Sequence, residues 1–216
     1  MLSVATPRPT PPAAWAPADP RMDHHPLVTA AASGRLPEWA VAKPRRREHA
    51  VRVAELLDSW AEELGLAEPE RARWRAAGCL HDALRDAEPS ELRSMVSNAD
   101  ALPDGLLHGP ATAERLREEG VDDEELLAAI AYHTVGDPGF GILGRALYAA
   151  DFLDPGRTFL AERRAEMRAR APSELDTVVR DVARERIRDL VCRGLPLDPR
   201  TIDFWNRLVA EVRTRE

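Results

Sequence analysis

The feature that most constrains this chain is the recurrence of apolar residues at three- and four-residue steps along most of its length. Ala50, Val53, Ala54, Leu57, Trp60, Ala61 and Leu64 form one such stripe, on a helix that Gly65 stops. A second helix begins near Pro69 and carries Trp74, Ala77, Leu80, His81 and Leu84 on one face. Glu88-Pro89-Ser90-Glu91-Leu92 opens a short third, and Pro110 suits the first position of a helix that Gly120 ends. Asp122 is expected to cap the next, whose stripe is Leu126, Ile130 and His133. Leu143, Ala146, Leu147, Ala150 and Asp151 continue the pattern until Asp154-Pro155-Gly156-Arg157 breaks it. Three further helices are expected over residues 159–170, 173–193 and 199–212. No segment alternates with the period of a strand and no internal repeat is present, so the expected fold class is all-α.

Length and charge set the bounds. At 216 residues the chain can bury a substantial core, and 44% hydrophobic with 31% charged residues is a globular balance. A net charge of −7 argues against non-specific nucleic-acid binding, though not against a small cationic pocket. No apolar run reaches the roughly 18 residues a membrane span needs, and no signal peptide is recognisable. A cytoplasmic protein with no membrane partner is therefore expected. Cys79 and Cys192 lie in apolar helical patterns and read as buried free thiols. Half of the 18 prolines precede Arg45, so residues 1–44 read as a largely disordered Pro/Ala-rich lead with a short docking helix within 27–42. Residues 45–216 read as the domain. His24-His25 falls in the lead and reads as a solvated pair.

The remaining four histidines are not scattered. His49 sits in the first turn of its helix, leaning inward, and His81 ends an apolar face. Asp82, about 100° further round, can reach the same cavity. His108 stands at a helix N-terminus, His133 ends an inward stripe, and Asp151 ends another. Each histidine alone is an ordinary core or surface residue. Together they are a nitrogen and oxygen donor set without thiolates, which suits iron, manganese or zinc. A bridging Asp82 would let two ions about 3.5 to 4 Å apart clamp a phosphate and activate a water.

The order His49, His81-Asp82, His108, His133, Asp151 resembles the HD superfamily of metal-dependent phosphohydrolases, whose fold is an all-α helical bundle. His108-Gly109-Pro110, Tyr132-His133-Thr134-Val135-Gly136, Ala150-Asp151-Phe152-Leu153-Asp154-Pro155-Gly156-Arg157 and Gly194-Leu195-Pro196-Leu197-Asp198-Pro199-Arg200-Thr201 are similar to a narrower branch. These motifs resemble the bacterial symmetrical diadenosine tetraphosphate hydrolases of the YqeK type. The resemblance implies that His49, His81, Asp82 and Asp151 hold one metal ion, and that His108 and His133, with Asp82 bridging, hold the other. It implies a di-iron centre, with manganese or zinc as alternatives, and cleavage of diadenosine tetraphosphate to two ADP by a metal-bound hydroxide. Asp82 and Arg85 become the catalytic residues, with Arg85 where the family usually carries Lys. Arg keeps the charge and binds phosphate well, but releases a proton poorly, so phosphate binding is its expected role. Gly109, Thr134 and Arg157 are expected to contact substrate, although Arg157 can equally form an ion pair with Asp154. Asp154 stands where Glu is usual and Asp198 where His is usual. Both are expected to lie clear of the ligands.

Two other readings compete. The same site can hydrolyse another nucleotide, a nucleoside triphosphate or a 5′-monophosphate. Alternatively the fold senses a nucleotide without turnover. In each case the partner is a small nucleotide and not a nucleic acid. Trp205 on the last helix is free either to join the core or to meet a second copy in a homodimer.

Overall fold

A computed structural model describes residues 24–213 of the chain. The lead expected to be disordered therefore lies, up to residue 23, outside the described residues. Among the described residues there are helices and turns but no strand, and the fold is all-α. The helices are α1 (Pro26–Ala32), α2 (Pro44–Glu63), α3 (Glu68–Leu80), α4 (Pro89–Met95), α5 (His108–Glu118), α6 (Glu124–Tyr132), α7 (Ile142–Phe152), α8 (Ala161–Cys192) and α9 (Pro199–Arg213). Two short 3-10 turns, Ala99–Ala101 and Asp104–Leu106, lead into α5. None of the helices is long and apolar enough to cross a membrane.

Proline opens α1, α2, α4 and α9, where its missing N–H costs no hydrogen bond and its fixed φ is already helical. The cap of α6 is Asp123 rather than Asp122: its carboxylate accepts from Leu126 N at 3.0 Å. The two acids are adjacent, and Asp123 is chosen because Arg73 on α3 also binds it. The chain expected as two helices over 159–170 and 173–193 is helical as α8 from Ala161 to Cys192, with a break between its two halves where they were expected to separate. Pro172 bends it and Glu174 leaves helical geometry. Helical packing nevertheless carries through the bend, since Met167 and Ala171 before it and Leu175, Val178 and Val182 after it are all buried. Cys192 ends this helix and is exposed, contrary to the expectation. Cys79 is buried, which pushes its thiol up to about 11.

One core gathers α2, α3, α6, α7 and α8 around Leu57, Trp74, Leu80, Ile130, Leu143, Leu147 and Val178. Helix α1 adds Val28 and Ala31 to it, and Trp205 on α9 packs on it half-buried. The neighbouring histidines of the lead are pinned rather than solvated. His24 Nε2 donates to Pro69 O at 2.6 Å, and His25 Nδ1 accepts from Leu27 N at the start of α1. A smaller cluster of Leu84, Leu92, Leu107 and Ala111 supports α4 and the 3-10 turns.

Two close approaches fix where the histidines point. A Cβ on Gly78 would stand 2.6 Å from Ala54 Cα, so only glycine lets α3 lie this near α2. Those two helices carry His81 and His49. A Cβ on Gly109 would stand 2.6 Å from Ala131 O, so α5 and α6 meet as closely just beside His108 and His133.

Candidate metal centre

The six residues named as metal ligands come from five segments and meet in the interior, each at most 7% exposed. His49 lies in α2, His81 and Asp82 in the turn after α3, and His108 at the first position of α5. His133 caps the C-terminal end of α6, and Asp151 is the penultimate residue of α7. Helix ends suit this purpose, because the backbone turns there and releases a side chain from the packed face.

The histidines form two pairs. His49 Nε2 and His81 Nε2 are 3.3 Å apart, as are His108 Nε2 and His133 Nε2. Asp82 stands between the pairs with one oxygen toward each. Its Oδ2 is 3.7 Å from His81 Nε2 and 4.0 Å from His49 Nε2. Its Oδ1 is 3.2 Å from His108 Nε2 and 3.7 Å from His133 Nε2. Two donor triads result, His49-His81-Asp82 and Asp82-His108-His133, sharing one carboxylate. Asp151 belongs to neither triad but touches the first through His49, its Oδ1 3.1 Å from Nε2.

The protons show whether this set fits a metal. His81 Nδ1 donates to Gly78 O and His133 Nδ1 to Ile130 O, both at 2.8 Å, which leaves each Nε2 lone pair facing the centre. Such an outer partner on each imidazole is the usual support of a metal-bound histidine. Burial lowers the pKa of His81, and His133 is pushed down to about 3 by burial and by the charges of His81 and His108. Both stay neutral, as ligands must. Burial also disfavours a charged His49. The bond and charge of Asp151, with Asp154 and Asp82 adding to them, outweigh burial and raise its pKa. Its Nδ1 donates to Asp154 Oδ2 at 2.7 Å. The proton this favours on Nε2, between the imidazole and Asp151, occupies the position a metal cation would take. Burial pushes the Asp82 carboxyl up, but the surrounding histidines hold it well below the usual carboxylate range.

His108 differs from the other three. Its Nδ1 lies 3.0 Å from Arg85 NH1, a group that can only donate. In this arrangement His108 accepts from Arg85, and its Nε2 proton points to Asp82. In the other tautomer, without the Arg85 bond, its Nε2 lone pair would be available to a metal. The donor set therefore fits a divalent metal, with three imidazoles oriented for it and the fourth one tautomer away.

The expected substrate contacts are spread around this centre. Arg85 also donates to Gly105 O at 2.7 Å. Thr134 Oγ1 is 3.1 Å from His133 Nε2, and the residue lines a cleft of about 630 Å³ between the 3-10 turns, α6 and the start of α9. Gly109 is buried, and its lack of a Cβ permits the close approach of α5 to Ile130 O and Ala131 O. Arg157 NH2 donates to Asp151 Oδ1 at 2.8 Å rather than to the Asp154 side chain. Asp154, expected to lie clear of the ligands, touches one directly: it holds His49 and accepts from Arg52 Nε at 2.7 Å. Asp198 does stay clear of them, accepting from Arg200 N at the start of α9.

Arg186 was not singled out in the sequence. It reaches from the middle of α8 to Asp151 Oδ2 at 2.8 Å and to Thr134 O at 3.1 Å, with its guanidinium over the Tyr148 ring. Its neighbours Arg184 and Arg188 look identical to it in the sequence, and only the direction of the helix separates them. Arg46 stands at the rim, 3.9 Å from Asp82 Oδ2 and 40% exposed.

The sequence model of the HD domain family matches residues 46–183. A symmetrical bis(5′-nucleosyl)-tetraphosphatase of Halalkalibacterium halodurans is 30% identical over 173 residues, covering 77% of this chain and 90% of the relative. One of the same name from Staphylococcus aureus is 29% identical over 182 residues, covering 81% and 89% respectively. Among solved structures, a predicted HD superfamily hydrolase involved in NAD metabolism from Clostridium acetobutylicum superposes with a TM-score of 0.69 at 26% identity. It covers 85% of this chain and 96% of its own.

Proposed function

The chain belongs to the HD domain family, and from that premise we propose that it is a symmetrical dinucleoside tetraphosphatase, cleaving diadenosine tetraphosphate to two ADP in the cytoplasm. The observation that carries the reading is the Asp82 carboxylate, with one oxygen turned to each histidine pair. A site of that form is suited to two ions and to a phosphate laid across them. Iron is the proposed metal, with manganese or zinc as alternatives. The relatives named symmetrical tetraphosphatases support the choice of substrate.

The bound ions would supply Lewis acidity and an activated water for attack on phosphorus. The rest falls to the chain. Asp82 joins the two halves of the site, while Asp154 and the carbonyls of Gly78 and Ile130 hold three of the imidazoles in orientation. Arg85 lies at the edge of the His108 side, where its guanidinium can neutralise charge building on the phosphates. It need not give up a proton. The leaving group is the terminal phosphate of ADP, whose second pKa of about 6 makes it a stable anion near neutrality, so Arg serves where Lys is usual. The cleft of about 630 Å³ is large enough for one nucleoside, with Thr134 at its junction with the centre. A homodimer is part of the proposal, since Ile202 on α9 remains 43% exposed. Gel filtration at known concentration tests that part.

The decisive assay is hydrolysis of diadenosine tetraphosphate by protein purified without chelator, with metal content measured in parallel and Asp82→Ala as the control. ADP as the sole nucleotide product, lost together with metal in the variant, is the expected result. AMP and ATP as products would replace it with asymmetric cleavage. Bound metal without turnover would redirect the proposal to another nucleotide or to a sensor.

A further inference from the structure

Arg164, in the first turn of α8, is 5% exposed, and its Nε and NH1 bond to nothing. A guanidinium in that condition is costly, because burial removes its water without supplying acceptors. Other well-buried or half-buried arginines of the fold have a carboxylate: Arg73 binds Asp123, Arg145 binds Asp176 and Arg186 binds Asp151. Arg164 instead packs on two rings, its Cζ 4.4 Å from the Phe152 centroid and 5.8 Å from that of Phe159.

The surroundings point to a missing anion. Phe152 follows Asp151 in the chain, and its ring also receives Arg186, at 5.4 Å, so two guanidiniums flank one ring. Arg157 lies on Asp151 and Arg52 on Asp154. Three guanidiniums thus share two carboxylates while Arg164 binds neither, and Asp151 is itself proposed to be drawn toward a metal. Helix α8 adds the positive end of a long dipole, and no side chain caps it. Its neighbours reach the solvent, since Arg157 is 41% exposed and Phe159 stands out from the surface.

We infer that Arg164 and Arg157, at the N-terminus of α8, hold a phosphate group of the substrate's polyphosphate chain, one remote from the bond that breaks. The inference rests on the proposed hydrolase reading for the identity of the anion. For the existence of the site it rests on Arg164 alone. The phosphate oxygens accept from the unused Nε and NH1, and Phe152 keeps the guanidinium plane aligned with them.

The test compares the wild-type holoprotein with Arg164→Met, which keeps the stem and removes the charge, and with Arg163→Met. Arg163 instead pairs with Glu185. Melting is followed against inorganic pyrophosphate, with metal content assayed at each point, and diadenosine tetraphosphate kinetics are measured on all three. Pyrophosphate should stabilise the wild type and Arg163→Met, and stabilise Arg164→Met far less. Without anion, Arg164→Met should melt no lower than wild type, because an uncompensated charge has been removed. A purely structural arginine would lower that melting point and leave the pyrophosphate shift intact. The KM of Arg164→Met should rise by about tenfold with kcat nearly unchanged. Should that variant fail to fold, Arg164→Lys, with its charge kept and its fork lost, should show an intermediate shift and KM. An undiminished pyrophosphate shift in the Arg164 variants, or none in the wild type, overturns the site. An unchanged KM beside a lost shift overturns its assignment to the substrate's chain. If the wild type cleaves no diadenosine tetraphosphate yet its pyrophosphate shift depends on Arg164, the hydrolase reading falls and the anion site stands.

Discussion

Helix α3 carries a buried polar cluster at each end, and the two are built on opposite plans. Near its start Arg73, 6% exposed, is ringed by acids. Its NH2 donates to Asp123 Oδ1 at 2.7 Å and to Glu125 Oε2 at 3.0 Å, and its NH1 to Glu70 Oε1 at 2.9 Å. Trp74 Nε1 adds a bond to the same Glu70 oxygen at 3.1 Å. The chain provides both the cation and the acceptors there. Just past the other end of α3, His81 and Asp82 join three more imidazoles whose nitrogens stand 3.3 Å apart in pairs on either side of the Asp82 carboxylate. The first cluster is self-sufficient and serves the fold. The second is complementary to a cation the polypeptide does not contain, so it serves function. Burial and hydrogen-bonding residue types are alike in both; the sign of what stands at the middle differs.

The sharpest way to break that contrast is one substitution in each cluster. Asp82→Ala should lower turnover by on the order of a thousandfold or more and abolish metal retention, read by metal analysis after desalting. Arg73→Met should instead cost about 3 kcal/mol of stability, because it leaves the buried Glu70 and the half-buried Asp123 without their cation. Metal bound per folded molecule should be unchanged. If Arg73→Met also loses its metal, or if Asp82→Ala keeps it, the two clusters do not divide fold from function.

A smaller change tests how far the second cluster depends on its surroundings. Asp154→Asn should weaken metal binding by about 10- to 100-fold, measured by competition with a chelator, because it loosens His49 while leaving every proposed ligand in place. An unchanged affinity would mean that His49 is oriented by its own helix alone.

Asp154 also marks where the sequence ceased to be informative. Helical spacing made the inward lean of His49, His81 and His133 legible, since it depends only on periodicity within one element. The relation between elements was not legible. Nothing local separates Asp154 from Asp151 as a partner for Arg157, Arg186 from Arg184 and Arg188, or Asp123 from Asp122 as a cap. Each choice is made by a residue far along the chain: His49 and Arg52 for Asp154, Asp151 for Arg186, Arg73 for Asp123. Gly109 was assigned a place beside substrate because it follows His108, yet the carbonyl it avoids belongs to the next helix. The break at Pro172 was legible by contrast, since proline is a strong local signal to stop a helix and Glu174 leaves helical geometry just after it.

The least effect, and the most specific to the self-sufficient cluster, concerns acid. Burial pushes the Asp123 carboxyl up, but the bonds and charge of Arg73 and the Leu126 N–H outweigh it and leave the carboxyl below its ordinary value of 3.8. A folded pKa below the unfolded one contributes stability that is fully present above the unfolded value and lost as pH falls through the folded one. The stability gap between wild type and Arg73→Met should therefore be constant above about pH 4 to 5 and narrow progressively below it. Urea unfolding of chelator-treated protein at a series of pH values measures the gap directly. The carboxylates of the metal centre are also depressed, but they are common to both chains and cancel from the difference. A gap that stays level as the acid is increased would show that Asp123 is not held by Arg73. Arg73 would then stabilise the fold through packing rather than through its carboxylate partners, and the self-sufficient cluster would not be an ionic one.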